Sequence, residues 1–273
     1  MPKRSCARSP QPLRAALRAS RSVSSAKSTR GRRTAGRSRP VTVHAGLDQG
    51  AAALLHTNVH QELRRRFITG KIVPGSTLST RGIAHELGVS QTPVREALSR
   101  LAAEGAVQIR SKRKIVVPPM TADRFTDLLR CRELLELEAA LAALPYIDKA
   151  RLKRLCAVDN SIETALRTGD VNAYMEGNFN FHFLVYAAQP RRTLLQLIET
   201  LWLQFGPYMR VVYGRVGTAD LIDQHEVMIK AIRRRDAAAL GRALMADIRD
   251  GMGLIGQSGF AEPVTQGRNL GSR

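Results

Sequence analysis

Apolar residues recur along this chain in two rhythms, and the change between them divides it. In the earlier stretch Leu55, Val59, Leu63 and Phe67 repeat at helical spacing, followed by Gly70 and a Pro74-Gly75 turn. Residues 78–98 then read Leu-Ser-Thr-Arg-Gly-Ile-Ala-His-Glu-Leu-Gly-Val-Ser-Gln-Thr-Pro-Val-Arg-Glu-Ala-Leu. Ile83, Ala84 and Leu87 make one apolar stripe, and Val94, Leu98 and Leu101 make another. Between them, Gly88 falls where the chain must reverse and a positive φ is cheap only for glycine. Ser90 is placed to cap the second helix, and Pro93 falls in its first turn, where a missing N–H costs nothing. This predicts a helix-turn-helix, a motif whose second helix enters the DNA major groove. Two β-prone runs follow, at 106–109 and 115–117, joined by Arg110-Ser111-Lys112-Arg113-Lys114. They predict a hairpin, or wing, with a cationic tip suited to a phosphate or minor-groove contact.

From Thr121 onward the rhythm is helical only. Phe125, Leu128, Leu129, Leu135 and Ala139 form the first such series, and Leu152, Leu155, Ile162 and Leu166 the second. Further series run through Phe179, Phe183 and Tyr186, through Leu194, Leu197, Ile198 and Leu201, and through Ile229, Ile232, Leu240 and Leu244. Breaks at Pro145, Gly169-Asp170, Gln189-Pro190 and Arg235-Asp236 predict six helices in an antiparallel bundle. The expected fold class is therefore mainly α, an N-terminal winged helix-turn-helix (51–119) followed by a C-terminal all-helical bundle (120–252). A disordered head is expected over 1–50 and a flexible tail over 253–273.

Charge sharpens this picture. The 273-residue chain has 43 Lys+Arg against 23 Asp+Glu, a net charge of +20, and so suits a polyanionic partner. Residues 1–47 supply 12 of the cations and none of the acids. Rich also in Ser, Ala and Pro, the head buries too little to fold alone. It reads either as a disordered arm or as an arm adding non-specific phosphate contacts. No run approaches the ~18 apolar residues of a membrane span, and no signal peptide is visible. Cys6, Cys131 and Cys156 are odd in number and lack metal-type spacing, as expected of reduced thiols in a cytoplasmic protein.

A helical bundle should point few polar residues inward, so exceptions matter. Asn178 and His182 are four apart and share one helix face. His225 and Asp247 lie on two later helices separated by the Arg235-Asp236 turn, which can bring them level. Two His with oxygen ligands suit a divalent metal such as Zn²⁺, Ni²⁺ or Mn²⁺, although an inward His is also an ordinary structural residue. Arg210, near Tyr208 and Tyr213, is a candidate for an effector pocket. Arg132 and Glu136 are spaced for an i,i+4 ion pair on the bundle surface.

The N-terminal residues resemble the GntR family of bacterial transcriptional regulators. The resemblance rests on Gly70-Lys71-Ile72-Val73-Pro74-Gly75, on residues 87–98 and on Leu101 and Gly105. It implies that Arg81, Ser90, Gln91, Thr92 and Arg95, with Lys112, Arg113 and Lys114 of the wing, face double-stranded DNA. Arg95 and Arg81 are the expected guanine readers. Gln91 stands where the family commonly has Arg, and Lys114 where it has the glycine of the wing tip. The second half resembles the all-helical, FCD-like effector domain of the FadR branch, through Arg132, Leu135 and Glu136, Phe181-His182, and His225 with Asp236-Ala237-Ala238. That resemblance implies a divalent metal held by Asn178, His182, His225 and Asp247, with Asp247 in place of a usual His. It also implies an organic acid effector beside the metal, met by Arg132. The expected function is that of a homodimeric regulator, a repressor, reading a palindromic operator. A metalloenzyme on the same four residues, or a constitutive DNA-binding protein whose helical half only dimerises, are the competing expectations.

Overall fold

The computed structural model describes residues 58–111, 114–216 and 223–257. The expectations for the basic head, for Lys112 and Arg113 at the wing tip, and for the end of the chain past 257 lie outside these residues.

A first helix, α1, covers 58–68 and buries Val59, Leu63, Phe67 and Ile68, the face its spacing predicts. Strand β1 (Thr77–Leu78) leads into α2 (Thr80–Leu87) and α3 (Gln91–Ala103). Ser79 caps α2 by accepting from Gly82 N–H, and Gly88 ends it in the left-handed conformation at φ 65°. Ser90 occupies the N-cap position of α3, but its side chain makes no capping bond, contrary to expectation. Strands β2 (Gln108–Ser111) and β3 (Lys114–Val116) complete a three-stranded antiparallel sheet in the order β1-β3-β2. Lys114 pairs with Ser111 inside the ladder, which places it in β3 rather than at the tip of the wing.

The second half is built from α4 (Ala122–Ala143), α5 (Lys149–Thr168), α6 (Val171–Tyr186), α7 (Arg192–Val216), α8 (Gln224–Arg234) and α9 (Ala237–Gln257). Thr121, Asp148, Asp170 and Asp223 cap α4, α5, α6 and α8 through side-chain oxygens that accept from backbone N–H groups. The turn between α8 and α9 holds Arg235 at φ 56°, unusual for a non-glycine residue. Its guanidinium compensates by donating to the carbonyls of Leu144 and Ile147. The predicted tail is corrected at its start. Helix α9 runs to Gln257 and buries Met252, Leu254 and Ile255, because Ile248, Met252 and Ile255 extend one apolar stripe past Gly251 and Gly253. No described helix is long and apolar enough to cross a membrane.

Helix α7 touches both halves. Gly206 lies so close to α1 that a Cβ there would stand 2.6 Å from the carbonyl oxygens of Phe67 and Ile68. Gln204 donates to Glu104 O (3.1 Å) and accepts from Arg124, which also donates to Gly105 O (3.2 Å). The carbonyls just past the end of α3 are thus held by side chains of α4 and α7. Tyr208 donates to the Pro118 carbonyl.

Candidate functional site

Two features stand out, one exposed and one buried. The exposed one is the outer side of α2 and α3. Packing of Val94, Ala97, Leu98 and Leu101 into the domain core leaves Gln91, Thr92 and Arg95 in solvent, together with Ser90, Arg81 and Lys114. All the predicted DNA-facing residues that the structure describes are exposed. The exposed first turn of α3 is the part of a recognition helix that contacts base edges.

The buried feature is a polar cluster between α4, α6, α8 and α9. Arg132 and Glu136 form their i,i+4 pair, with Nε to Oε1 at 2.6 Å, but inside the protein rather than on its surface. The Arg132 guanidinium lies 3.9 Å from the Phe205 ring centroid and 5.4 Å from that of Trp202, both on α7. Burial opposes its charge, yet Glu136 overcomes this and raises the arginine's pKa. Tyr186 donates to Glu136 Oε2 (2.7 Å), and its oxygen lies 3.0 Å from His182 Nδ1. Since the phenol proton is committed to the carboxylate, the phenol oxygen must accept from Nδ1–H. His182 Nε2 therefore turns into the cluster, where it meets Asp247 Oδ2 at 3.2 Å and His225 Nε2 at 3.3 Å.

His225 lies between two carboxylates, both beyond hydrogen-bond distance. Its Nδ1 lies 3.7 Å from Asp159 Oδ1, its Nε2 lies 3.7 Å from Asp247 Oδ1, and its ring stacks on Phe181 at 4.1 Å. Burial lowers the His225 pKa to about 4, so at neutral pH the imidazole is uncharged. Burial pushes Asp247 upward, but His182, His225 and Arg132 pull it down to about 2. Two imidazole nitrogens and a carboxylate thus converge with their acceptors facing one another. That arrangement is stable only with a proton or a cation among them. The His182 Nδ1 is backed by an acceptor, as in histidines that bind metal, and a carboxylate lies 3.7 Å from that of His225. The three ligand atoms lie within 4.8 Å of one another, a donor set that fits a divalent transition-metal ion.

Of the four predicted ligands, the structure brings three together. Asn178 is buried one turn before His182, and its place rests on that helix position. Arg210 is corrected. It donates to Asn172 Oδ1 (2.7 Å) and packs against Gly70, so its contacts face the start of α6 and the end of α1 rather than the cluster. Asp159 was missed, although an acid on the buried Leu155–Ile162 stripe of α5 was its signal. Burial first, then Asp223, Glu226 and Glu163, raises its pKa to about 7.

This combination of an exposed reading helix and a separate helical domain defines a two-domain DNA-binding regulator as a class. Residues 55–117 match the bacterial regulatory proteins of the gntR family, and residues 127–250 match the FCD domain. The chain is 26% identical over 206 residues to the HTH-type transcriptional regulator McbR of Escherichia coli (strain K12), covering 74% of this chain and 93% of that protein. It is 26% identical over 202 residues to the gluconate operon transcriptional repressor of Bacillus subtilis (strain 168), covering 70% and 81%. A solved structure of E. coli McbR/YncC superposes with a TM-score of 0.71 at 26% identity, over 75% of this chain and 98% of that one. The chain belongs to the GntR family, with a GntR helix-turn-helix domain joined to an FCD domain, and it is a transcriptional regulator.

Proposed function

We propose that this protein is a cytoplasmic, homodimeric repressor that reads a palindromic operator through α3 and releases it when a small organic acid binds beside a metal in the helical domain. The observation that carries the DNA reading is the exposed row Gln91, Thr92 and Arg95 at the start of α3. Arg95 pairs with guanine O6/N7, and Gln91 suits an adenine. Arg81 and Ser90 hold the flanking phosphates, while Lys114 with Lys112 and Arg113 supports the duplex from the wing. Two-fold symmetry of the dimer requires two-fold symmetry of the site.

The sensing half rests on the convergent nitrogens of His182 and His225 with Asp247. These residues would hold Zn²⁺, Ni²⁺ or Mn²⁺, with Asn178 as a fourth ligand, and the ion would supply a positive anchor for a carboxylate. Asp247 is the least covered of the three, at 23% exposed, so solutes reach the cluster from its side. Arg132 serves this site through Glu136, Tyr186 and His182, since Glu136 already occupies its guanidinium. Helix α7 links the two ends, because Trp202 and Phe205 cover Arg132 and Gln204 holds the C-terminus of α3.

The test is a binding titration of the full chain on duplex DNA from the gene's own upstream region and on a scrambled duplex. It is run with Zn²⁺ or with chelator, and with and without a panel of small carboxylic acids. Preference for the upstream duplex, lost in Arg95→Ala and weakened by an acid only when metal is present, is the expected result. Equal binding to both duplexes refutes sequence reading, and an acid effect that survives chelation and His182→Ala refutes the metal-anchored site.

A further inference from the structure

A cavity of about 690 Å³ lies between the winged helix and the helical domain, separate from the His182 cluster and bounded by α1, α3, α6 and α7. Its volume is that of a small-molecule pocket. Among its lining residues, Arg64, Arg65 and Arg100 face Glu104, Glu176 and Glu199. The cations and carboxylates are equal in number, so the lining as a whole favours neither sign of net charge. A ligand carrying both signs gains at both ends.

The pairing inside the cavity shows where each end would sit. Arg64 bridges Glu104 and Glu199, with 2.8 Å to the latter, and Arg65 holds Glu176 at 2.9 Å. Among the described residues no carboxylate lies within ion-pair distance of Arg100, which leaves one guanidinium open. Beside it, His60 Nε2 is fully buried without a hydrogen-bond partner, 3.7 Å from the Glu104 carboxylate. A buried ring nitrogen left orphaned is uncommon and calls for a partner. Glu199 shares one arginine with Glu104 and keeps part of its carboxylate open at 37% exposure. Ile68 and Phe179 supply an apolar surface between these polar ends.

We propose that this cavity is a second ligand site, for a free amino acid bound as its zwitterion. Its carboxylate is received by Arg100 and its ammonium by Glu199, and its side chain rests on Ile68 and Phe179. A ligand there ties α1 and α3 to α6 and α7, and so fixes the orientation in which the reading helix is carried.

The experiment is thermal unfolding of the full chain against each of the twenty common free L-amino acids. Any that raises Tm is repeated as its decarboxylated amine and its deaminated acid. A rise in Tm with the zwitterion alone, abolished by Arg100→Ala at the exposed end of α3 and by Gln196→Trp filling the rim, is the expected result. The rise must persist in the presence of chelator and in His182→Ala, which separates this site from the metal cluster. The absence of a shift with all twenty overturns the proposal. So does an equal shift with the single-charge analogues, or a shift unchanged in both Arg100→Ala and Gln196→Trp.

Discussion

Replacing Tyr186 with Phe removes a single oxygen from the centre of the polar cluster. That oxygen donates to Glu136 at 2.7 Å and receives His182 Nδ1–H at 3.0 Å, in a residue with no solvent exposure. Loss of a hydrogen bond to a buried charged group costs about 1.5–3 kcal/mol. The abandoned Nδ1–H adds to this, so the metal-free protein should lose about 2–4 kcal/mol. The tyrosine also fixes which nitrogen of His182 faces Asp247, and removing such an outer partner weakens metal binding about 10- to 100-fold. Urea unfolding in chelator measures the first effect, and calorimetric titration with Zn²⁺ measures the second. The variant stays folded at moderate temperature because the ring remains, so both readouts are accessible. An unchanged Zn²⁺ affinity alongside the expected stability loss would refute the reasoning, since it would show that Tyr186 supports the fold but not the orientation of His182.

Other perturbations test the remaining joints. Gly206→Ala drives a methyl into the Phe67 and Ile68 carbonyls and should cost about 1–3 kcal/mol, with hydrogen exchange rising at residues 67–70. Arg95→Ala should reduce discrimination between upstream and scrambled duplexes by about 1–3 kcal/mol, whereas Lys114→Ala should weaken both equally and lower the salt slope by about one. Asp159 has a folded pKa of about 7 against 3.8 for the free side chain, so its ionisation withdraws stability as pH rises between those values. Asp159→Asn should therefore gain stability relative to the native chain on going from about pH 4 to about pH 8, by about 2 kcal/mol after solvent screening. Urea midpoints at both pH values check the sign, and a constant difference contradicts it. Gln204→Ala leaves both candidate sites intact but removes a tie between α7 and α3. It should reduce the effect of metal and acid on operator affinity by about 0.5–2 kcal/mol, measured by titration of the same duplex under both conditions.

The parts of this fold that were legible in the sequence are those decided locally. Gly88 stops α2 because only a residue tolerant of φ 65° continues the chain there, and the stripes on either side of it follow from spacing alone. Strand β1 was not legible: Thr77 and Leu78 are too few to show a period, and their extended form depends on pairing with Val116 and Ile115. The burial of Arg132 was not legible either. An i,i+4 pair looks the same on a surface as in a core, and here the cover comes from Trp202 and Phe205, some seventy residues later. The end of α9 misled for a different reason. Its glycines suggested fraying, but the Ile248–Met252–Ile255 stripe outweighed their low helix propensity. The three convergent ligands could be aligned by family resemblance, and Tyr186 lies one turn after His182 on the same helix, whereas the place of Asp159 beside His225 depends on how α5 meets α8.

Under the proposed function, helix α7 is the element that would carry a change at the cluster to the reading helix. Within five residues it presents Trp202 and Phe205 to Arg132, Gln204 to the end of α3, and Gly206 to the end of α1. The glycine allows the backbones of α1 and α7 to close to contact, and Pro207 beside it lacks the N–H that would otherwise bond to the Leu203 carbonyl. A helix interrupted at this point bends more easily than elsewhere, while its side chains on either side remain locked in close-packed surroundings. In the proposed function, an anion bound at the His182 cluster would change the charge balance among Asp247, His182 and Glu136, and Arg132 lies between that cluster and the two α7 rings. The same turn of α7 then sets the position of Gln204, and with it the carbonyl end of α3. The proposed coupling between the sites would rest on their sharing one short segment of α7.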